Sequence, residues 1–278
     1  VTVDLGPPGT LCNASETAPH CNCTTTPMET LTDAVRSAFE QACPAQVAAS
    51  WGHASGINIA GMDPRTGEQY VTMVLASIIA GAGATRQMDG WHACGPLSCF
   101  GALSSGDIEL LEYAYPILIH RYGLVTDSAG AGRHRGGSGT CWEVEPLGHT
   151  MTVASFGEGR QLATRGAAGA VNGLVEPKLG RLEITRGETQ EVHRRNVLVS
   201  VAPGERVANY NPGGGGYGPA WERPPAEVHA DFRNGLVSRA GAALDYGVVI
   251  DADGRLDLEA TRLRRTPVEP LVSTPEAA

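Results

Sequence analysis

The residues able to do chemistry are few and unevenly placed. Between Gly130 and Gly139, five glycines are interleaved with Arg133, His134 and Arg135. Such a run can gather backbone N–H groups and two guanidinium groups around an anion, which makes Arg133, Arg135, Gly136 and Gly137 candidate phosphate-binding residues. The run lacks the G-x-x-x-x-G-K-[ST] spacing of a nucleotide loop, and an irregular connection between two strands with surface arginines fits the same letters. Gly213, Gly214, Gly215 and Gly216 raise a similar question. Four glycines in a row permit close approach by a neighbour or a ligand, but no lysine follows, so they read as a structural or interface loop.

Eight histidines are scattered with no H-x-x-x-H or H-E-x-x-H pair. The one dense soft-ligand group, Cys12, His20, Cys21 and Cys23, has no C-x-x-C spacing and would need two adjacent residues on one ion, so no metal is assigned to this chain alone. Gly136-Gly137-Ser138-Gly139-Thr140 departs from G-x-S-x-G at its last position, which disfavours a serine-hydrolase elbow. Two candidates for acid/base work remain. His92 lies in a loop-rich stretch with Cys94 and Cys99. His53 sits between Gly52 and Gly56, where a site loop and a satisfied core histidine are equally consistent.

These residues must be carried by elements drawn from 278 residues, enough for a real apolar core. With 30 Asp+Glu against 21 Lys+Arg, the net charge of -9 argues against nucleic acid as a partner. No apolar run approaches the roughly 18 residues needed to cross a bilayer, and the start lacks a signal peptide, so no membrane partner and a cytoplasmic location are expected. Seven cysteines, an odd number in a chain of this size, read as reduced thiols.

Thr26-Pro27-Met28-Glu29 opens a helix, and Leu31, Val35, Ala38, Phe39 and Ala42 give it one apolar face that predicts packing against a neighbour. Ile57–Ile59, the turn 63–67 and the apolar run Tyr70–Ala80 predict a buried hairpin. A long loop, 85–106, leads to a short helix over 107–115. Strands are predicted over 117–125, 141–147, 151–156, 182–185, 197–202 and 248–250, with helices over 225–234 and 239–246. The turn at 251–254 is read as closing the ordered part. The expected class is α+β, with mixed, largely antiparallel sheets and a few packed helices. It divides into a helix and buried-strand segment (1–125), a β-rich segment with glycine-rich loops and two helices (126–266), and a mobile tail (267–278).

Several blocks together resemble the hydantoinase B/oxoprolinase family: Leu11-Cys12-Asn13-Ala14, the 127–139 glycine-arginine run, Pro212 through Gly218, Arg233 through Ser238, and Tyr246-Gly247-Val248-Val249. Their order and spacing match over about residues 3–260. The resemblance implies a B-type subunit of an ATP-dependent enzyme that opens cyclic amides such as hydantoins and 5-oxoproline. ATP would be handled by an A-type, actin-like partner subunit that phosphorylates the substrate. Arg133 and Arg135 would then meet the phosphate, with His92 and His53 as acid/base groups. The chain resembles only the C-terminal portion of such a subunit. The portion where relatives' metal ligands are expected has no counterpart, so a separate N-terminal half is an expected partner. A ketone carboxylase subunit and a non-catalytic scaffold are the alternatives.

Overall fold

The computed structural model describes residues 4, 6–10, 13–15, 17, 27–53, 55–99, 101–170 and 178–266. Alternating apolar residues build two antiparallel sheets. In the first, β1 (Ser55–Met62) and β2 (Gln69–Met73) form a hairpin, and the order is β2-β1-β5-β8, with β5 at Met151–Gly157 and β8 at Leu198–Val201. The second runs β3-β4-β9-β6-β7, from β3 (Ile117–Leu124), β4 (Thr140–Pro146), β6 (Arg181–Arg186), β7 (Thr189–His193) and β9 (Arg206–Tyr210). Both sheets take strands from either side of residue 125. Their inner faces share one core: Ile57, Ile59, Met151, Val153 and Val201 from the first meet Ile117, Trp142, Val144, Leu182, Ile184 and Val207 from the second.

The helices lie outside this sandwich. Helix α1 is Pro27–Ala42 and α2 is Ile108–Ala114, whose N-cap Asp107 accepts the Leu110 N–H at 3.1 Å. Near the other end, α3 (Pro225–Arg233), α4 (Arg239–Tyr246), the short pair β10 (Val249–Ile250) and β11 (Leu256–Asp257), and α5 (Leu258–Arg265) follow one another. Val228, Val237, Ala242, Tyr246, Val248 and Ile250 form a second, smaller core there. Ala131 of the glycine-arginine run joins it. The expected mixed α+β class is thus the one observed.

Three readings are corrected. The run Tyr70–Ala80 is not one buried strand: β2 ends at Met73 and lies at a sheet edge with Val71 69% exposed, while Ala76, Ser77 and Ile78 are buried in a 3-10 turn, Leu75–Ile78. Helix α1 turns its apolar face outward. Leu31, Val35 and Phe39 are exposed, whereas Glu29 and Arg36 face the protein. The Glu29 carboxylate accepts the N–H groups of Leu97 and Ser98, and Arg36 donates to Asp33, Glu40 and the Ala48 carbonyl. Finally, the ordered part does not close at 254, because α5 follows with N-cap Asp257. The expected cap Thr26 and the tail 267–278 lie outside the described residues.

Candidate functional site

Where the two glycine blocks meet, backbone packs directly on backbone. Gly213, Gly214 and Gly215 donate in turn to Ser128 (3.1 Å), Gly137 (2.9 Å) and Ser50 (2.7 Å), three different segments from three consecutive residues. A sheet strand cannot do this, but an extended chain of threefold character can. The lattice continues outward: Gly130 donates to Gly214, Gly136 to Gly130, Gly137 to Ala82, Ala82 to Trp91 and Ala84 to Gly215. Glycine is required here because a Cβ on Gly137 would lie 1.8 Å from the Trp91 carbonyl oxygen, and one on Gly214 2.0 Å from that of Ala82. The amides of Gly136 and Gly137 are therefore committed to carbonyls and are not free to cradle an anion. Gly213–Gly216 thread the middle of this bundle.

A charged cluster closes one side of it. Arg135 is buried, its Nη1 donates to the Gly136 carbonyl at 2.6 Å, and its Nε lies 3.3 Å from Asp231 Oδ2. Arg223, equally buried, donates from Nη1 and Nη2 to the two oxygens of Asp89 at 2.8 and 2.7 Å, and from Nε to Asp231 at 3.1 Å. Asp89 also accepts the Arg135 backbone N–H at 2.8 Å. Burial pushes the Asp89 carboxyl up, but the Arg223 hydrogen bonds and the charges of Arg223 and Arg135 outweigh it, leaving the carboxyl below its ordinary range. Two buried guanidinium groups are thus neutralised by the buried Asp231, the partly exposed Asp89 and, at the rim, Glu227, 3.4 Å from Arg223.

His92 borders this cluster. Its Nδ1 accepts the Ser138 backbone N–H at 3.0 Å, which puts the proton of the neutral ring on Nε2. Burial and the Arg135 charge lower its pKa, so the neutral form holds at pH 7. Nε2 and Arg135 Nη2 stand 3.5 Å apart, so two N–H donors are neighbours at this edge of the cluster. Trp91 beside it is 65% exposed. Arg133 is exposed, and its carbonyl accepts from Arg223 at 3.1 Å.

His53 belongs to a different neighbourhood. Its Nε2 is 3.8 Å from Asp33 Oδ2 on α1 and is buried without a hydrogen-bond partner among the described residues. Burial raises the Asp33 carboxyl, but the His53 ring and Arg36 outweigh it and hold the carboxyl at about 2. The structure therefore brings Arg135, Gly136 and His92 together and leaves His53 with α1. Asp89, Arg223 and Asp231 escape spacing arguments, since Asp89 and Arg223 lie 134 residues apart. The one available signal is an aspartate directly before the Gly90-Trp91-His92 loop. The cluster Cys12, His20, Cys21 and Cys23 lies outside the described residues. Among those described, Cys43, Cys94, Cys99 and Cys141 are free, and no three His, Cys, Asp or Glu side chains converge as metal ligands.

The family model Hydantoinase B/oxoprolinase matches residues 1–220. The chain belongs to the hydantoinase B/oxoprolinase family. Among family members, the beta subunit of caprolactamase from Pseudomonas jessenii is 68% identical over 95% of this chain, which spans 46% of that protein. The B subunit of a putative D-/L-hydantoinase from Pseudomonas sp. (strain NS671) is 30% identical over 92% of the chain and is spanned to 42%. The chain is thus about half the length of the curated relatives it matches. The crystal structure of ATP-dependent caprolactamase from P. jessenii superposes with a TM-score of 0.86, covering 95% of this chain and 46% of that one. A nucleotide-free acetone carboxylase shares the fold at a TM-score of 0.69 over 82% of this chain and 34% of that one, with 20% identity. No helix among the described residues is long and apolar enough to cross a membrane.

Proposed function

We propose that this chain forms part of the B-type subunit of an ATP-dependent cyclic-amide hydrolase whose substrate is a lactam of the caprolactam class. The observation that carries the reading is 68% identity to the caprolactamase beta subunit across 95% of the chain. ATP is handled by an A-type partner subunit, and the rest of the B-type body comes from a further segment. The outward apolar face of α1 supports the second partner, because Leu31, Val35 and Phe39 otherwise remain in water.

The chemistry asked of the complex is demanding. Amide resonance makes a lactam carbonyl a poor electrophile, and transfer of the ATP γ-phosphoryl group to its oxygen makes it a good one. Water then adds to the activated carbon and the ring C–N bond breaks, leaving an acyl phosphate with a free amine, and a second water releases phosphate and the amino acid. In this reading the His92 Nε2–H and the Arg135 guanidinium meet the oxygen on which negative charge develops. Arg133 faces the phosphorylated intermediate from the exposed rim. His53 is assigned to proton transfer only through its pairing with Asp33.

The test is to co-express the chain with the remaining segment and an A-type subunit, then follow ADP and amino-acid release with ε-caprolactam, 5-oxoproline and hydantoin. Lactam-dependent ATP turnover is expected, falling at least about tenfold in Arg135→Lys and in His92→Gln. ATP turnover that requires a ketone and bicarbonate would replace this reading with the carboxylase one. An assembled complex with no substrate-dependent turnover would leave a scaffold.

A further inference from the structure

Beside the glycine bundle, where Gly159 lies against Pro212, the chain leaves β5 and makes a polar pocket of about 320 Å³. Its walls hold Glu158, Arg160, Gln161, Arg194, Arg195 and Asn196. Arg160 is 2% exposed. Its Nη2 donates to Asn209 Oδ1 at 2.6 Å, while Nε and Nη1 have no partner among the described residues. The Asn209 amide cannot turn away, because its Nδ2 donates to the carbonyls of Ser55 and Ser77 at 3.0 and 2.8 Å. A buried guanidinium in a folded protein ordinarily faces a carboxylate. This one faces a neutral amide.

The pocket mouth repeats the imbalance. Arg194 and Arg195 are exposed, and among the described residues Arg194 donates to the carbonyls of Leu179 and Gly180, at 3.4 and 3.5 Å. Among the described residues no ion pair joins Arg160, Arg194 or Arg195 to any carboxylate, including Glu158 in the same wall. Three cations with no ion-pair partner among the described residues, and one carboxylate beside them, are unexpected around one pocket in a chain of net charge -9. Burial pulls the Arg160 guanidinium down to about 10, so it stays charged at neutral pH.

We infer that this pocket binds a small oxyanion, phosphate or carboxylate, contacted by Arg194 and Arg195 and held by the buried charge of Arg160. Arg160 needs no water-facing nitrogen to act, because an unpaired charge in a low-dielectric wall projects its field into the adjoining cavity. The arginines at the mouth supply the direct charge-assisted hydrogen bonds. The site is separate from the His92 and Arg135 cluster, so it stands or falls independently of the reaction assigned above.

The test is calorimetric titration of the purified full chain with inorganic phosphate, with sodium acetate in a second arm and sodium chloride as the matched ionic-strength control. A saturable 1:1 signal above chloride is expected with phosphate. It should weaken about 10- to 100-fold in Arg160→Gln and about tenfold in Arg195→Ala. If Arg160→Gln does not fold, the exposed Arg195→Ala decides alone. Acetate that competes with phosphate would widen the ligand class to carboxylates, and acetate that does not would narrow it to phosphoryl groups. Binding no stronger than chloride in both arms overturns the inference. So does phosphate binding that Arg195→Ala leaves unchanged.

Discussion

Asp231 is the residue whose loss the charged cluster can least absorb. It stands 3.3 Å from Arg135 and 3.0 Å from Arg223, both buried, and is itself 6% exposed. Asp231→Asn preserves shape but leaves Arg135 with Asp89 at 3.8 Å and Arg223 with Asp89 and the exposed Glu227. Unfolding in urea is expected to show a loss of about 3 kcal/mol, and a change under about 1 kcal/mol would mean the cluster does not hold the fold. Asp33 gives the acid limb of stability. Its folded pKa of about 2 lies below the ordinary 3.8, so its contribution of about 2 kcal/mol is complete above pH 4 and vanishes as pH falls toward 2. Asp33→Asn should be less stable than the parent at pH 6 and should converge with it near pH 2. At this scale the sequence is half legible. Arg135 and His92 stand out beside glycines, whereas Arg223 sits in the link before α3 and Asp231 among ordinary helix residues, and both acquire meaning through contacts distant in the chain.

Among the elements, the glycine bundle makes the sharpest prediction. Gly137→Ala would place a Cβ against the Trp91 carbonyl with backbone on both sides, and folding is expected to fail, read as loss of soluble protein. Gly67→Ala is the control. Gly67 has a φ of +75° in the β1-β2 turn with open space around it, so only conformational strain of about 1 kcal/mol is expected. Strands that alternate cleanly are readable, and β4, β5 and β6 lie within a residue or two of where the pattern puts them. Besides the two-residue β11, two strands are not. β7 carries only Val192 as an apolar residue, and the central β9 hides its two core residues, Val207 and Ala208, between Arg206 and Asn209. Helix α5 escapes because Arg262, Arg264 and Arg265 leave it no apolar stripe to detect.

For the whole molecule, the inverted α1 separates folding from assembly. Its polar side holds the protein through Glu29 and Arg36, and its apolar side faces out. Leu31→Glu with Phe39→Glu should therefore leave the melting temperature of the chain unchanged while abolishing co-purification with the rest of the B-type body. A fall in stability instead would place that face inside this chain's own core. Helical periodicity identifies the face, but periodicity does not say which molecule covers it. The mixed sheet architecture is readable because its burial is local to each strand. The bundle is not, since nothing in a run of glycines names its neighbours.

That bundle also sets an order of events. Its outer segments, from Ala49 to Ser138, leave the ribosome long before Gly213–Gly216, yet the latter run is the one hydrogen-bonded to Ser50, Ser128 and Gly137 alike. Until it is synthesised, the earlier segments have their own bonds, such as Gly137 to Ala82 and Ser138 to His92, but lack the run that ties Ser50, Ser128 and Gly137 together. The bundle, though not the sandwich, must wait for its keystone. In a chain truncated before residue 213, every strand of the two large sheets is present, and the protease sensitivity is expected in the loops that the glycine run would otherwise bind, around Ser50, Ser128 and Gly137.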